Sequence, residues 1–215
     1  MARGPLIVFE GAEGVGKSTQ LRRLASWLES GGRVVHAHRE PGGTPLGDEI
    51  RRLLLDPTSD IAPRAEALLF MASRAQLVEA LARPALEAGH VVVLDRFFLS
   101  TYAYQGAGRD LPESEVRRAN AVATNGLVPD LTLLMTLPVQ EGLARAARRG
   151  ERDRIERNAD DFHYRVSAAF AEFAGAEWQA AHPECGAIVT IDASGSEDEV
   201  FARVRAVVEA RLGLA

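Results

Sequence analysis

The residues from Gly11 to Ser18 read Gly11-Ala12-Glu13-Gly14-Val15-Gly16-Lys17-Ser18. Three glycines at this spacing let successive backbone N–H groups curl round a phosphate chain, and a helix beginning at the lysine adds the positive end of its dipole. In such a loop Lys17 reaches the β- and γ-phosphates of a nucleoside triphosphate, and the Ser18 hydroxyl ligates magnesium. The chemistry implied is phosphoryl transfer. Glu13 is unexpected on electrostatic grounds, because a carboxylate beside a triphosphate is repelled. Either it points out to solvent or it holds a hydroxyl of a second substrate.

Composition singles out the same loop. Of 25 basic residues 24 are arginine, and the only lysine is Lys17. A chain that uses arginine everywhere else keeps at this one position a compact, flexible ammonium rather than a planar fork. The net charge of -5 gives no basic footprint for a nucleic acid, so the local arginine clusters serve something smaller. No apolar run reaches the length of a membrane span and nothing resembles a signal peptide. The single cysteine, Cys185, cannot form an internal disulfide and is read as a structural thiol, compatible with a cytoplasmic protein. At 215 residues a single domain is expected.

These residues need a scaffold, and the apolar pattern supplies one. Leu6 to Phe9 reads as a strand running into the glycine-rich loop, and Lys17 to Leu28 as a helix that Gly31 and Gly32 stop. Val34 to Arg39 is a second strand and Leu46 to Leu55 a second helix. Arg64 to Leu81 is a long alanine-rich helix, with Pro84 interrupting the segment that Gly89 closes. His90 to Asp95 is a β-branched run ending in an acid, the pattern of a strand buried on both faces. The alternation continues with helix Glu113 to Asn125, strand Leu131 to Leu137, helix Val139 to Arg149, one long helix from about Asp160 to Ala181, and strand Ile188 to Ile191. Ser196 and Glu199 have capping-box spacing and open a final helix. The expected fold is α/β of the P-loop NTPase type: a five-stranded parallel sheet with helices on both faces.

Several further groups carry chemistry in that frame. Asp95, at the carboxyl end of the buried strand, has the position of the acid that organises magnesium. Arg96, Ser100, Thr101, Tyr104 and Gln105 follow it, at the sheet edge where ligands bind. Phe70, Met71 and Arg74 share a helix at turn spacing, the first two suited equally to core or site. The arginines from Arg145 to Arg157 form either a solvated, self-paired helix end or a mobile lid that brings cations to the transferring group. The five histidines lack ligand spacing and read as structural or surface residues. Asp192 to Gly195 matches a short GTPase pattern by chance, and a single lysine at Lys17 rules out the accompanying base-reading motif.

Taken together these motifs resemble the bacterial thymidylate kinase family from Leu6 to the final helix. The likeness is carried by the loop with Glu13, by Arg39 to Thr44, Arg51 to Leu55, Leu69 to Arg74, Asp95-Arg96 with Tyr104-Gln105-Gly106, and Asp153 to Glu156. The resemblance implies transfer from ATP to dTMP with magnesium held at Ser18 and Asp95, and a cytoplasmic homodimer.

By that resemblance Gly11 to Thr19 and Arg145 hold ATP. Phe70 stacks on thymine, and Arg74 binds the base with help from Thr101 or Gln105. Ser100 belongs to the same acceptor wall, and Tyr104 lies against the sugar. Glu13 binds the 3′-hydroxyl, while Arg39, Arg51 and Arg96 hold the monophosphate. Since Gly11 to Lys17 contains no arginine, the catalytic arginine is assigned to a lid at about 145–157, to Arg149 and Arg154, beside Lys17, Asp95 and Arg96. The chain departs from the commoner family pattern at Phe97, where tyrosine is frequent. A kinase for another monophosphate, or a nucleotide-binding module without an acceptor, are the competing classes.

Overall fold

A computed structural model describes residues 3–147 and 153–214. Its sheet contains β1 (Leu6–Glu10), β2 (Val35–Arg39), β3 (Val91–Asp95), β4 (Leu131–Thr136) and β5 (Ile188–Asp192), all parallel, in the order β2-β3-β1-β4-β5. The expected five-stranded parallel sheet is therefore present. The chain leaving β1 travels to the β2 edge of the sheet and the chain leaving β3 to β4 on the opposite side of β1, so the crevice outside the carboxyl ends of β1 and β3 is the switch point.

Side chains alternate across the strands and build a core on each face. Ile7 and Phe9 of β1, with Val91 and Val93, pack under Leu21, Leu24 and Leu28 of α1 (Lys17–Ser30) and under Val200, Val204 and Val208 of the last helix. Leu6, Val8, Val92 and Leu94 face Leu77, Leu86, Leu99, Phe162 and Phe170 on the other side. Burial on both faces explains why β1 and β3 read as apolar runs ending in an acid and why β4 is apolar apart from its threonines.

The remaining helices are α2 (Pro45–Leu55), α3 (Pro63–Leu77), α4 (Arg83–Glu87), α5 (Phe98–Thr101), α6 (Glu113–Thr124), α7 (Val139–Ala147), α8 (Asp160–Phe173), α9 (Ala176–Ala181) and α10 (Glu197–Leu212). The Ser196–Glu199 capping box is formed in both directions at the start of α10.

Two expectations change. Pro84 does not interrupt its helix: a π-helical turn, Val78–Ala82, joins α3 to α4, and the Arg83 N–H reaches back to Val78. The wider turn makes room for a residue that lacks an N–H. The single helix from Asp160 to Ala181 is instead α8 and α9, broken at Gly175, which sits at ψ 139 as the N-cap of α9. Trp178 of α9 stacks on its C-cap residue His182 with ring centroids 3.8 Å apart. The polar and aromatic run after Asp95, to which the sequence pattern assigned no element, is helical, α5 continuing into a π-helical segment, Tyr102–Gly108. The helix expected to end at Arg149 is described as far as Ala147.

Candidate active site

The loop after β1 is built by close backbone approach. Gly11 lies at φ 134 and Gly14 at φ 75. A Cβ on Gly14 would lie 1.9 Å from the Gly142 carbonyl oxygen, so the loop rests directly on the first turn of α7. Gly16, at φ 90, is the N-cap of α1 and aims that helix's N-terminus at the cleft.

The Lys17 ammonium is almost fully buried and donates to the Gly11 and Ala12 carbonyls at 3.0 and 2.7 Å. Burial, and next the charge of Arg96, pulls its pKa down to about 7, against the opposing pull of Asp95, Glu10 and Glu13. Ser18 Oγ donates to Asp95 Oδ2 at 2.5 Å. A hydroxyl and a carboxylate in contact form the hard oxygen pair that magnesium takes from protein when substrate phosphates and water complete its shell. The residues fit the expected ion.

One cleft at the sheet's switch point is lined by Glu13, Gly14, Gly16, Lys17, Ser18 and Thr19 on one side. Arg39, Arg51, Phe70, Arg74, Asp95, Arg96, Ser100, Thr101, Tyr104 and Gln105 line the rest, with Asp153, Ile155 and Glu156 over them. Gly11, Ala12 and Val15 form the loop behind this wall. Phe70 is half-buried on the cleft, whereas its neighbour Met71 is core, which divides the pair that sequence left open.

Arg96 is the most constrained of these residues. Its φ of 76 is the left-handed region, costing an arginine about 1–3 kcal/mol. Its backbone N–H is bonded to Phe9, and its guanidinium to Ser100 Oγ at 2.8 Å, to Tyr104 Oη at 3.1 Å and to the Gly11 carbonyl. It also lies over the Tyr104 ring at 4.8 Å. Burial alone would lower its pKa, but Tyr104, Asp95, Glu10 and Glu13 outweigh that and raise it. Arg51 lies the other way: burial, then Arg39, pushes it down against the opposing pull of Asp153 and Asp95, so two arginines stand side by side at the cleft. That is the electrostatics of a phosphate site.

Glu13 does not point to solvent. It accepts from Tyr104 Oη at 3.4 Å, and His163 Nδ1 lies 3.5 Å away. Arg74 is buried, with its Nε on Glu40 at 2.7 Å, one terminal nitrogen on Thr101 and Asn120, and the other on the Phe97 carbonyl and Glu40. All five N–H groups of a guanidinium are engaged there. Phe97 itself is fully buried under Arg74, with its ring 4.9 Å from the guanidinium carbon, a place that needs no phenolic hydroxyl.

Two of the named arginines do not line the cleft. Arg154 does not line the cleft, although its neighbours do; it donates to the Leu54 carbonyl at 2.7 Å and to Glu66 Oε2 at 2.6 Å. Arg145 is paired with Glu141 at 2.6 Å and reaches the Ala193 carbonyl beyond β5. Arg149 lies outside the described residues.

Sequence reading missed Glu10, Glu66, Asn120, His163 and Gly142. Glu10 is wholly buried at the end of β1 and accepts from the N–H groups of Phe97 and Ser100 and from Ser100 Oγ, fixing the start of α5. An acid closing an apolar strand immediately before the loop was the signal for it. Among the described residues no helix is long and apolar enough to cross a membrane, and no cluster of three or more His, Cys, Asp or Glu could hold a metal.

The family model for thymidylate kinase matches residues 9–204. A thymidylate kinase of Deinococcus radiodurans is 47% identical over 211 residues, 98% of this chain and 99% of that protein. One of a Synechococcus species is 49% identical over 211 residues, covering 97% and 96%. The crystal structure of thymidylate kinase from Ehrlichia chaffeensis superposes with a TM-score of 0.74 at 28% identity, over 96% of this chain and 99% of that one.

Proposed function

The chain belongs to the thymidylate kinase family, and from that premise we propose that it phosphorylates dTMP to dTDP, with ATP as donor and magnesium as cofactor, in dTTP synthesis. The observation that carries the reading is the single cleft. It sets the loop residues Lys17 and Ser18 and the metal-suited Asp95 opposite Arg39, Arg51, Phe70, Arg74 and Arg96. A nucleotide-binding module without an acceptor has no use for that second wall.

In this reading the triphosphate lies on the loop N–H groups and the start of α1. Its charge draws Lys17 off the Gly11 and Ala12 carbonyls onto the β- and γ-phosphates. The oxygens of Ser18 and Asp95 hold magnesium, which when bound neutralises phosphate charge. Arg39, Arg51 and Arg96 seat the acceptor phosphate in line, and the strained, hydrogen-bonded Arg96 is set in place before substrate arrives. Phe70 stacks on the base, with Arg74, Thr101 and Gln105 behind it. Ser100 holds Arg96, and Glu13, steadied by Tyr104 and His163, takes the 3′-hydroxyl. Positioning and charge do the work, with no covalent enzyme intermediate.

Thr19 and Arg145 belong to the ATP side, and Arg149 supplies the lid cation to the transferring group. The unit is one kinase domain, and the reading extends to a cytoplasmic homodimer. The exposed Leu46, Leu53, Leu68 and Val122 on α2, α3 and α6 are available to such a pairing.

A coupled assay of ADP release across a panel of nucleoside monophosphates tests the reading. The expected result is dTMP as the fastest acceptor, with ATP and magnesium both required. Faster turnover of another monophosphate would reassign the acceptor, and hydrolysis without any acceptor would overturn the kinase assignment.

A further inference from the structure

Glu66 carries no exposed surface, yet it binds three side chains from two separate stretches of chain. It stands in the first turn of α3. Oε1 accepts from Gln105 Nε2 at 2.9 Å and Arg109 Nε at 3.2 Å, and Oε2 accepts from Arg109 at 3.1 Å and Arg154 at 2.6 Å. Burial raises the pKa of its carboxyl, but hydrogen bonds from Arg109, Gln105 and Arg154 prevail and hold it below the usual carboxylate range.

The partners give this junction its meaning. Gln105 lines the cleft beside Thr101. Arg154 belongs to the segment over the cleft: its N–H bonds the Leu55 carbonyl and its Nε the Leu54 carbonyl, both at the end of α2. Arg109 also donates to Asn158 Oδ1 at 2.7 Å, and Asn158 Nδ2 ties back to the Ile155 carbonyl. Asp153 Oδ1 closes the same turn by accepting from the N–H groups of Ile155 and Glu156. Residues 153–158 are thereby fastened to α2 and α3, and Asp153, Ile155 and Glu156 are presented to the cleft from that fastening.

We propose that Glu66 is a positioning residue for the reaction: one buried carboxylate locks the lid's returning segment, through Arg154, to the same point that fixes Gln105 in the acceptor wall. Arg154 is then the lid's anchor, and its guanidinium is committed to Glu66 and Leu54. The kinetic arm of this proposal rests on the dTMP kinase reading above; the proteolytic arm does not.

The full-length protein as Glu66→Gln keeps the shape but turns an amide donor toward the arginines. Its KM for dTMP is expected to rise roughly tenfold or more, the equivalent of one lost charge-assisted hydrogen bond, with the KM for ATP nearly unchanged. A purely structural role lowers the folded fraction and leaves KM alone, so an unchanged dTMP KM overturns the proposal. Arg154→Gln should reproduce the KM effect, and the double variant should be no worse than Glu66→Gln. A fall in kcat with unchanged dTMP KM in Arg154→Gln would make Arg154 catalytic and overturn the anchor. In nucleotide-free protein, trypsin should cut after Arg154 faster in Glu66→Gln than in the wild type; equal cutting counts against the lock. Should Glu66→Gln not fold, the KM-against-kcat split of Arg154→Gln decides alone.

Discussion

Ser18 Oγ and Asp95 Oδ2 meet at 2.5 Å across 77 residues of sequence, joining the first turn of α1 to the end of β3. Both oxygens face the cleft, and either one alone would be a poor site for a hard cation. Asp95→Asn keeps the shape and removes the charge. Turnover should drop roughly 100-fold, a few kcal/mol of charge stabilisation, and the half-saturating magnesium concentration should rise. Titrating kcat against magnesium at fixed ATP checks this; an unaltered magnesium dependence would remove Asp95 from the metal's shell.

Lys17 leads to a prediction about protons. In the free protein burial and Arg96 hold its pKa at about 7, from an ordinary 10.5. The folded chain therefore carries fewer protons than the unfolded one between these values, and this lysine makes stability rise with pH across that window. A bound triphosphate favours the ammonium, so at about pH 8 ATP binding should take up most of one proton. Calorimetry in two buffers of different ionisation enthalpy reads the uptake directly. Lys17→Met should abolish it along with turnover; uptake that survives in that variant belongs to another group.

What could be read from sequence followed from local rules. The loop, its strand and its helix lie within a few residues of each other, and apolar runs plus glycine stops define them. Of the expected acceptor wall, Arg39 and Arg96 stand at strand ends, where position alone points to them, whereas Arg51 within α2 and Phe70 and Arg74 within α3 were assigned to it through the family resemblance. Glu66, Asn120 and His163 were not legible, since each acts on a partner far away in sequence: Glu66 on Arg154 88 residues on, Asn120 on Arg74 across 46, and His163 on Glu13 from α8. The Arg154 contacts were hidden for the same reason. Its sequence neighbours face the cleft, whereas its guanidinium is taken up by the buried Glu66 and the Leu54 carbonyl. The break at Gly175 and the π-helical turns depend on tertiary packing, which periodicity does not record.

Gly142 gives a test of how tightly the loop is supported. A methyl there would stand 2.8 Å from the Glu13 carbonyl, too close for backbone that cannot yield. Gly142→Ala gains up to about 1 kcal/mol of helix propensity in α7, and overpacking costs about 1–3 kcal/mol. The melting temperature should fall slightly, while the ATP KM rises clearly because the displaced atoms carry the loop. A variant more stable than the wild type with unchanged ATP KM would show that the contact gives way freely.

The buried pair of Arg74 and Glu40 separates a structural from a recognition role by its pH dependence. Burial raises Glu40 above the usual carboxylate range, and Arg74 opposes that rise through its charge and its hydrogen bond. Arg74→Ala leaves burial unopposed, so the folded-state pKa climbs further above that of the unfolded chain. A carboxyl of this kind costs stability above its folded pKa, and the cost disappears as pH falls below the unfolded value. Removing one partner of a buried pair costs about 3–5 kcal/mol, so the loss should be largest near about pH 7.5 and visibly smaller near about pH 5.5. Urea unfolding of both proteins at the two pH values measures it, and a loss independent of pH would mean that Glu40 finds another cation. Arg74 also keeps Thr101 and Asn120 in place. The fraction that folds should therefore discriminate poorly among monophosphates, and unchanged preference would confine Arg74 to the structural role.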